Sequence, residues 1–224
     1  MQNSITDYRL KYKIYRRKAI IRRRIFIVFI IIFTLLLIGA LTFFLSGKAR
    51  EKTAISKARN IEIPSWIDSQ IIGENCGGRS STELSAIKGI VIHYVGNPNT
   101  TAQNNRDYFN KESTQVSSHF IVGLDGEIIQ CLPLNEKSAA SNWRNKDTIS
   151  IEVCHPDESG KFNEDTYNSL VKLTAWLCDS FYLNKNDIIR HYDVTGKICP
   201  KYYVENEDEW NALKEKISKY NGEF

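Results

Sequence analysis

The stretch GIVIHYVGNPN, residues 89–99, contains the pattern that decides the fold class. Residues 89–94 form a short apolar run rich in β-branched residues, which is typical of a buried strand. His93 lies at the end of this run, and the glycine, asparagines and proline of residues 96–99 then break the chain. The stretch therefore predicts a buried strand that delivers a histidine to the rim of a sheet.

Strand and helix patterns alternate around this stretch. Asp125-Gly126 separates two apolar runs and favours a β-hairpin. The strand patterns are residues 119–123, 127–131, 149–154 and 188–190. The helical patterns are residues 101–112, with Thr101 as N-cap, 163–183 and 205–220. Mixed strands and helices predict an α/β domain over residues 61–224.

The basic residues are concentrated at the N-terminus. Nine of the 30 Lys and Arg residues and one of the 26 acidic residues fall within residues 1–24. A nucleic-acid-binding protein normally carries its basic residues on the folded domain, so this distribution argues against a nucleic-acid partner. It predicts instead a basic tail on the cytoplasmic side of a membrane.

An uncharged apolar run of 21 residues, 25–45, follows the basic tail. As a helix it would span roughly 31 Å, which matches the hydrocarbon core of a bilayer. Cations before the run predict a single-pass membrane protein with a cytoplasmic N-terminus and an extracellular domain. A cleaved signal peptide is the alternative, although no A-x-A-like site follows the run. Residues 46–60 are charged and predict a stalk.

The five cysteines contain no C-x-x-C pair. Cys131, Cys154 and Cys178 fall in apolar strand or helix patterns, which favours buried, reduced thiols. Cys199 differs because it follows His191 by eight residues in a loop. With His93 and His191 at strand ends, it offers two imidazoles and one thiolate, a donor set suited to zinc with one position open for water. Structural, hydrogen-bonded histidines are the alternative interpretation.

Two further residues have the chemistry that such a site needs. Glu152 lies inside an apolar strand pattern, where an unpaired carboxylate costs several kcal/mol. It could act as a general acid and base, or it could pair with an arginine. Lys197 lies two residues before Cys199, where its ammonium could stabilise an oxyanion or could be a solvated loop residue.

Four motifs together resemble the N-acetylmuramoyl-L-alanine amidase type 2 family, which includes phage endolysins and peptidoglycan recognition proteins. They are IVIHYVGN (90–97), SHFIV (118–122), ISIEV (149–153) and RHYDVTGKICP (190–200). The last motif is the most specific, and it looks most similar to amidases of clostridial bacteria and their phages. The resemblance covers residues 61–220.

The resemblance implies a central mixed sheet flanked by helices, with a zinc ion in a groove. Zn2+ would be held by His93, His191 and Cys199, with Glu152 as acid/base and Lys197 near the oxyanion. The implied reaction is hydrolysis of the amide between N-acetylmuramic acid and L-alanine in peptidoglycan. A non-catalytic peptidoglycan-binding sensor and a zinc peptidase acting on stem peptides are the alternatives.

Two segments depart from the family pattern. Residues 137–142 stand where many members carry an aromatic-His-Ala-Gly segment, so the substrate contacts of that wall do not carry over. Some relatives also have tyrosine at the position of Ser118. The tyrosine's absence here leaves Glu152 as the predicted proton carrier.

Overall fold

The computed structural model describes the backbone of residues 2–224 and the side chains of residues 11–18 and 20–224. The chain divides into two compact units, Met1–Arg50 and Glu51–Phe224. The predicted basic tail falls partly outside the described residues, because the side chains of residues 1–10 are not among them.

The first unit is formed by the long helix α1 (Gln2–Asn60), which continues into the second unit. Within this unit the side chains of residues 25–45 are exposed all around the helix. The hydroxyls of Thr34 and Thr42 donate hydrogen bonds to the carbonyls of Ile31 and Gly39. These hydroxyls are therefore satisfied within the helix, as an apolar solvent requires. By length and composition, α1 is one candidate membrane span among the described residues, and a signal sequence would pass the same test.

The last turns of α1, which include part of the predicted stalk, belong to the second unit. Ala54, Ile55 and Ala58 are buried in the main hydrophobic cluster of this unit. Ala58 lies four residues after Ala54 and three after Ile55, so the three side chains share one face of the helix. Charged residues surround them in the sequence, so no apolar periodicity indicates this face. The alanine side chains are small enough for close packing.

Among the described residues, the second unit contains one six-stranded sheet in the order β1-β4-β3-β5-β2-β6. The strands are β1 (Asp68–Ser69), β2 (Ile90–Ile92), β3 (Phe120–Val122), β4 (Ile128–Gln130), β5 (Ile149–Val153) and β6 (Ile188–Arg190). Strands β3 and β4 pair antiparallel as the predicted hairpin, and the other neighbours pair parallel. Gly126 of the hairpin has a φ of 78°, which favours glycine. The predicted mixed sheet is confirmed.

Helices cover both faces of this sheet. They are α2 (Ala102–Phe109), α3 (Glu164–Phe181), α4 (His191–Thr195), α5 (Lys201–Glu205) and α6 (Glu207–Ser218). Phe120 and Val122 belong to a cluster with residues of α3 and α6, whereas Ile121 belongs to a second cluster with residues of α2. This alternation follows the two-residue period of a strand. The predicted α/β fold with flanking helices is therefore confirmed.

Local sequence explains where the helices begin. Thr101 caps α2 by accepting a hydrogen bond from the backbone N–H of Asn104 and completes a capping box. Asn163 caps α3 by accepting a hydrogen bond from the backbone N–H of Thr166. Both helices are shorter than their sequence patterns predict.

Candidate metal centre

Strand register brings three of the predicted site residues to one edge of the sheet. Ile92 of β2 pairs with Ile151 of β5 and with Arg190 of β6, all in parallel. His93, Glu152 and His191 each come one residue later. Because the carboxyl ends of parallel strands meet at the same edge, these three side chains lie where α/β sheets bind ligands.

The strand period also sets the direction of these side chains. Ile92 and Ile151 point into the cluster beneath α3 and α6. Side chains alternate along a strand, so His93 and Glu152 point to the opposite face. That face carries a cavity of about 500 Å³. Its lining includes all five predicted site residues: His93, Glu152, His191, Lys197 and Cys199.

His191 is the first residue of the short helix α4, and a buried arginine fixes that helix. The Arg190 guanidinium donates to both carboxylate oxygens of Asp193, at 2.9 and 3.2 Å. It also donates to the Tyr203 carbonyl at 2.9 Å and to the Glu207 carboxylate at 2.6 Å. These bonds join α4 to α5 and α6, so the position of His191 does not depend on the five-residue helix alone.

Cys199 lies in the loop between α4 and α5 and is almost fully buried. The N–H of Tyr192 donates to the Cys199 carbonyl at 3.0 Å, which holds the loop against α4. The Cys199 Sγ lies 3.8 Å from Nδ1 of His93. The rings of His93 and His191 meet edge to face, with centroids 4.8 Å apart.

This buried His/His/Cys group fits a divalent metal. One donor atom from each residue lies within 4.8 Å of the others. A tetrahedral zinc site places a sulfur and a nitrogen ligand about 3.6 Å apart, given bond lengths of about 2.3 and 2.0–2.1 Å. The observed 3.8 Å between Cys199 and His93 is close to that value.

The electrostatics of the three donors also suit a cation. Burial lowers the pKa of His93 well below its ordinary value, and His191 and Lys197 add to this effect. Burial and the charge of Lys197 also lower the pKa of His191. Both imidazoles are therefore neutral at pH 7, as metal ligands must be. Burial, and to a smaller extent the negative charge of Glu152, raises the pKa of the Cys199 thiol to about 12. A nearby cation is therefore needed to form the thiolate at neutral pH.

Glu152 lies in the same cavity. Its Oε2 is buried without a hydrogen-bond partner among the described residues. The arginine pairing considered from the sequence is not observed in the part of the chain that the structure describes. Burial raises the pKa of Glu152 to about 8, although the Lys197 ammonium opposes this shift. A carboxyl with a pKa near the operating pH can both accept and return a proton.

A comparison with known families identifies the domain. A family model described as N-acetylmuramoyl-L-alanine amidase matches residues 83–202, more than half of the chain. The chain belongs to this family. The family-level resemblance predicted from the motifs is therefore confirmed.

The relatives in this amidase family include proteins of known name. The chain is 31% identical over 161 residues to the N-acetylmuramoyl-L-alanine amidase CwlL of Bacillus licheniformis, covering 64% of this chain and 44% of that protein. It is also 31% identical over 160 residues to the amidase BlyA of Bacillus subtilis strain 168, covering 62% and 43%. The chain thus spans less than half the length of these curated relatives.

Solved structures share the amidase fold. A mutant endolysin from Bacillus subtilis is 26% identical with a TM-score of 0.60, over 67% of this chain and 97% of that one. PlyL is 23% identical with a TM-score of 0.62, over 70% and 99%, and supports the fold alone.

The other two histidines of the amidase domain, His119 and His155, lie outside this group of three donors. His119 Nδ1 accepts from the N–H of Ser150 at 3.0 Å, and its Nε2 lies 2.9 Å from the Glu136 carbonyl. Both ring nitrogens of this core histidine are therefore satisfied. His155 is also buried, and its ring stacks on Tyr94. All five cysteines are free; Cys131 and Cys154 are buried as the sequence predicts, whereas Cys178 is half-buried.

Two residues beside the histidines were missed in the sequence. Ser141 Oγ lies 3.0 Å from His93 Nε2, and Asn142 Oδ1 lies 2.9 Å from His191 Nε2. The available signal was the departure of residues 137–142 from the amidase family pattern. This departure shows that the segment is unusual, but it does not predict the contacts of Ser141 and Asn142 with the histidines.

Proposed function

We propose that this chain is a zinc-dependent N-acetylmuramoyl-L-alanine amidase that hydrolyses the amide bond between N-acetylmuramic acid and L-alanine in peptidoglycan. The observation that carries the proposal is the convergence of His93, His191 and Cys199 beside the buried carboxyl of Glu152. Family membership supports the same reaction. An open three-ligand donor set is typical of catalytic rather than structural zinc sites.

Each site residue has a distinct proposed role. His93, His191 and Cys199 would hold the metal. Zinc, when bound, supplies Lewis acidity that polarises a carbonyl and lowers the pKa of water to about 7. Glu152 takes the proton that the attacking water loses and returns it to the leaving nitrogen of L-alanine. The ammonium of Lys197 stabilises the negative charge that develops on the scissile carbonyl oxygen.

The identity of the released fragments tests this function. Purified cell walls are digested with the full chain in detergent, and the soluble products are analysed by mass spectrometry. The amidase releases intact stem peptides that begin with a free L-alanine amino terminus. Cleavage within the stem would instead indicate a zinc peptidase. Binding to the wall without release would indicate a non-catalytic sensor.

We further propose that residues 25–45 anchor the enzyme in the cell membrane. In this arrangement residues 1–24 form a cytoplasmic basic tail. Residues 46–60 form a stalk that links the membrane span to an extracellular zinc amidase domain, residues 61–224. The uncharged apolar stretch of α1 and the cations before it support this topology. Protease added to intact protoplasts should remove the domain. A mature protein lacking residues 1–45 would instead indicate a cleaved signal sequence.

We also propose that the domain belongs to the clostridial type of the family. The motif RHYDVTGKICP at residues 190–200 supports this subtype. A phylogeny of the domain that groups it with clostridial and clostridial-phage amidases would agree, and a position within the Bacillus branch would contradict it.

A further inference from the structure

A single short segment contacts the outer side of both candidate ligand histidines. Ser141 and Asn142 are adjacent in the chain, and they lie 48 and 49 residues from His93 and His191. Ser141 Oγ approaches Nε2 of His93 at 3.0 Å, and Asn142 Oδ1 approaches Nε2 of His191 at 2.9 Å. In each histidine the contact therefore involves Nε2.

These contacts determine which ring nitrogen can face a metal. The amide oxygen of Asn142 can only accept a hydrogen bond, so Nε2 of His191 must carry the hydrogen. Nδ1 of His191 then keeps its lone pair. For His93, Nδ1 is the atom that faces Cys199 Sγ at 3.8 Å. A neutral imidazole that offers Nδ1 as ligand carries its hydrogen on Nε2, so the Ser141 hydroxyl accepts it.

The segment is held in place independently of the histidines. Asn145 Oδ1 accepts from the backbone N–H groups of Ala140 and Ser141, at 3.1 and 2.6 Å. The Trp143 indole donates to the Val194 carbonyl of α4 at 3.3 Å. Asn142 adopts a left-handed backbone with a φ of 53°, a conformation that asparagine tolerates better than most residues. The two acceptors are thus held by contacts that do not involve the histidine side chains.

We propose that Ser141 and Asn142 are positioning residues that aim the Nδ1 lone pairs of both histidines at one metal ion. Asn142 fixes His191 in the Nε2–H tautomer, and Ser141 accepts the hydrogen that His93 carries on Nε2 when its Nδ1 faces the metal. This inference rests on the proposed zinc-dependent function. It assigns a role to the segment that departs from the family pattern at residues 137–142. Hydrogen-bond acceptors behind histidine ligands orient the ring and raise its basicity, and their loss typically weakens metal binding 10–100-fold.

The first test reads the tautomers directly in the metal-free full chain. Nitrogen-15 chemical shifts of selectively labelled histidines distinguish Nε2–H from Nδ1–H. We expect the Nε2–H form for both His93 and His191. We also expect Asn142→Gly to give a mixture of tautomers at His191 only. An Nδ1–H form for both histidines in the unchanged chain would overturn the proposal.

The second test measures zinc affinity by competition with a chelator. Asn142→Gly removes the acceptor and keeps the left-handed backbone, so it should weaken zinc binding 10–100-fold. Asn142→Asp keeps an acceptor and should bind zinc at least as tightly as the unchanged chain. Ser141→Ala should weaken binding by a similar factor through His93.

Matched controls separate this effect from general damage. Asn99 also has a left-handed backbone, with a φ of 59°, so Asn99→Gly reproduces the backbone change elsewhere. Ser138 is buried in the same segment, and its hydroxyl has no partner among the described residues, so Ser138→Ala reproduces the loss of a buried hydroxyl. Both controls should bind zinc as the unchanged chain does.

The outcomes distinguish this inference from the proposed function. If the unchanged chain binds zinc and cleaves cell walls while Asn142→Gly and Ser141→Ala retain full affinity, the positioning role is wrong and the amidase function stands. If the unchanged chain does not bind zinc, the proposed function and the positioning role both fail. A cobalt-substituted Asn142→Gly protein with an altered visible spectrum would support the role, because a purely structural residue would leave the ligand field unchanged.

Discussion

The Sγ of Cys199 lies 3.8 Å from Nδ1 of His93, although 106 residues separate the two in the chain. The strand β2 delivers the histidine, and the loop between α4 and α5 delivers the cysteine. The thiol is almost fully buried, and burial raises its pKa to about 12. A buried thiol beside two neutral imidazoles becomes a strong ligand only when a cation stabilises its thiolate.

Replacing Cys199 tests the ligand assignment. Cys199→Ala should lose both bound metal and amidase activity, because two neutral imidazoles remain without an anionic ligand. Cys199→Asp should retain zinc and part of the activity, since a carboxylate can serve as the third ligand. Elemental analysis of the purified full chain measures the metal, and cell-wall digestion measures the activity. An alanine variant that keeps one zinc per chain would show that Cys199 is not a ligand.

Replacing Glu152 tests the acid/base assignment. Glu152→Gln keeps the shape of the side chain but cannot transfer a proton, so turnover should fall about 10²- to 10⁴-fold. The zinc content should remain that of the unchanged chain. Exposed Glu158 offers a matched control, and Glu158→Gln should leave turnover unchanged. Normal turnover of Glu152→Gln would assign proton transfer to another group.

Replacing Lys197 tests the electrostatic assignment. Lys197→Met removes the ammonium and keeps most of the side-chain length, so kcat should fall about 10²-fold with little change in KM. The matched control is Lys214→Met on helix α6, which should leave both constants unchanged. A variant that raises KM alone would indicate that Lys197 binds the ground-state substrate rather than the developing oxyanion.

The buried histidine His119 predicts acid sensitivity of the fold. Burial lowers its pKa to about 4, from 6.5 in the unfolded chain. Below pH 6.5 the unfolded chain therefore binds a proton that the folded chain does not, and the free energy of unfolding falls as the pH drops towards 4. The expected slope from this one group is about 1.4 kcal/mol per pH unit.

His119→Gln removes this titration. Denaturant unfolding of the variant and of the unchanged chain, measured between pH 4 and 6.5, should show a shallower pH dependence for the variant. Other titrating groups contribute to both chains, so the difference in slope reports His119. Parallel curves would show that His119 is protonated at its ordinary pKa in the folded domain.

The parts of the fold that local patterns encode could be predicted from the sequence. Asp125-Gly126 between two apolar runs predicts the β3–β4 hairpin, and the periodic apolar face of residues 163–183 predicts α3. In both cases neighbouring residues supply the turn, the cap or the buried face. Local physical chemistry is then sufficient to identify the element.

Other elements depend on contacts between distant residues. Helix α4 is only five residues long, and Arg190 holds it through Glu207 and the Tyr203 carbonyl. The buried turns of α1 carry small side chains among many charges, so no apolar period is visible there. These elements are stabilised by tertiary contacts rather than by their local sequence.

The candidate site likewise contains residues that local patterns predict and residues that only the tertiary structure shows. His93 and His191 follow recognisable strands and Glu152 lies near the end of another, so their meeting at one sheet edge could be expected. Ser141 and Asn142 have no such pattern, and only folding brings them to the histidines. Residue type therefore indicated the candidate ligands, whereas the contacts of Ser141 and Asn142 with them required the structure.

The dependence of catalysis on zinc is tested by measuring amide hydrolysis as a function of bound metal. The full chain is stripped with a chelator, and free L-alanine amino termini released from purified cell walls are counted before and after zinc is restored. We predict that release stops when zinc is removed and returns with one zinc per chain. Equal release from the stripped and the zinc-loaded chain would show that hydrolysis does not depend on zinc.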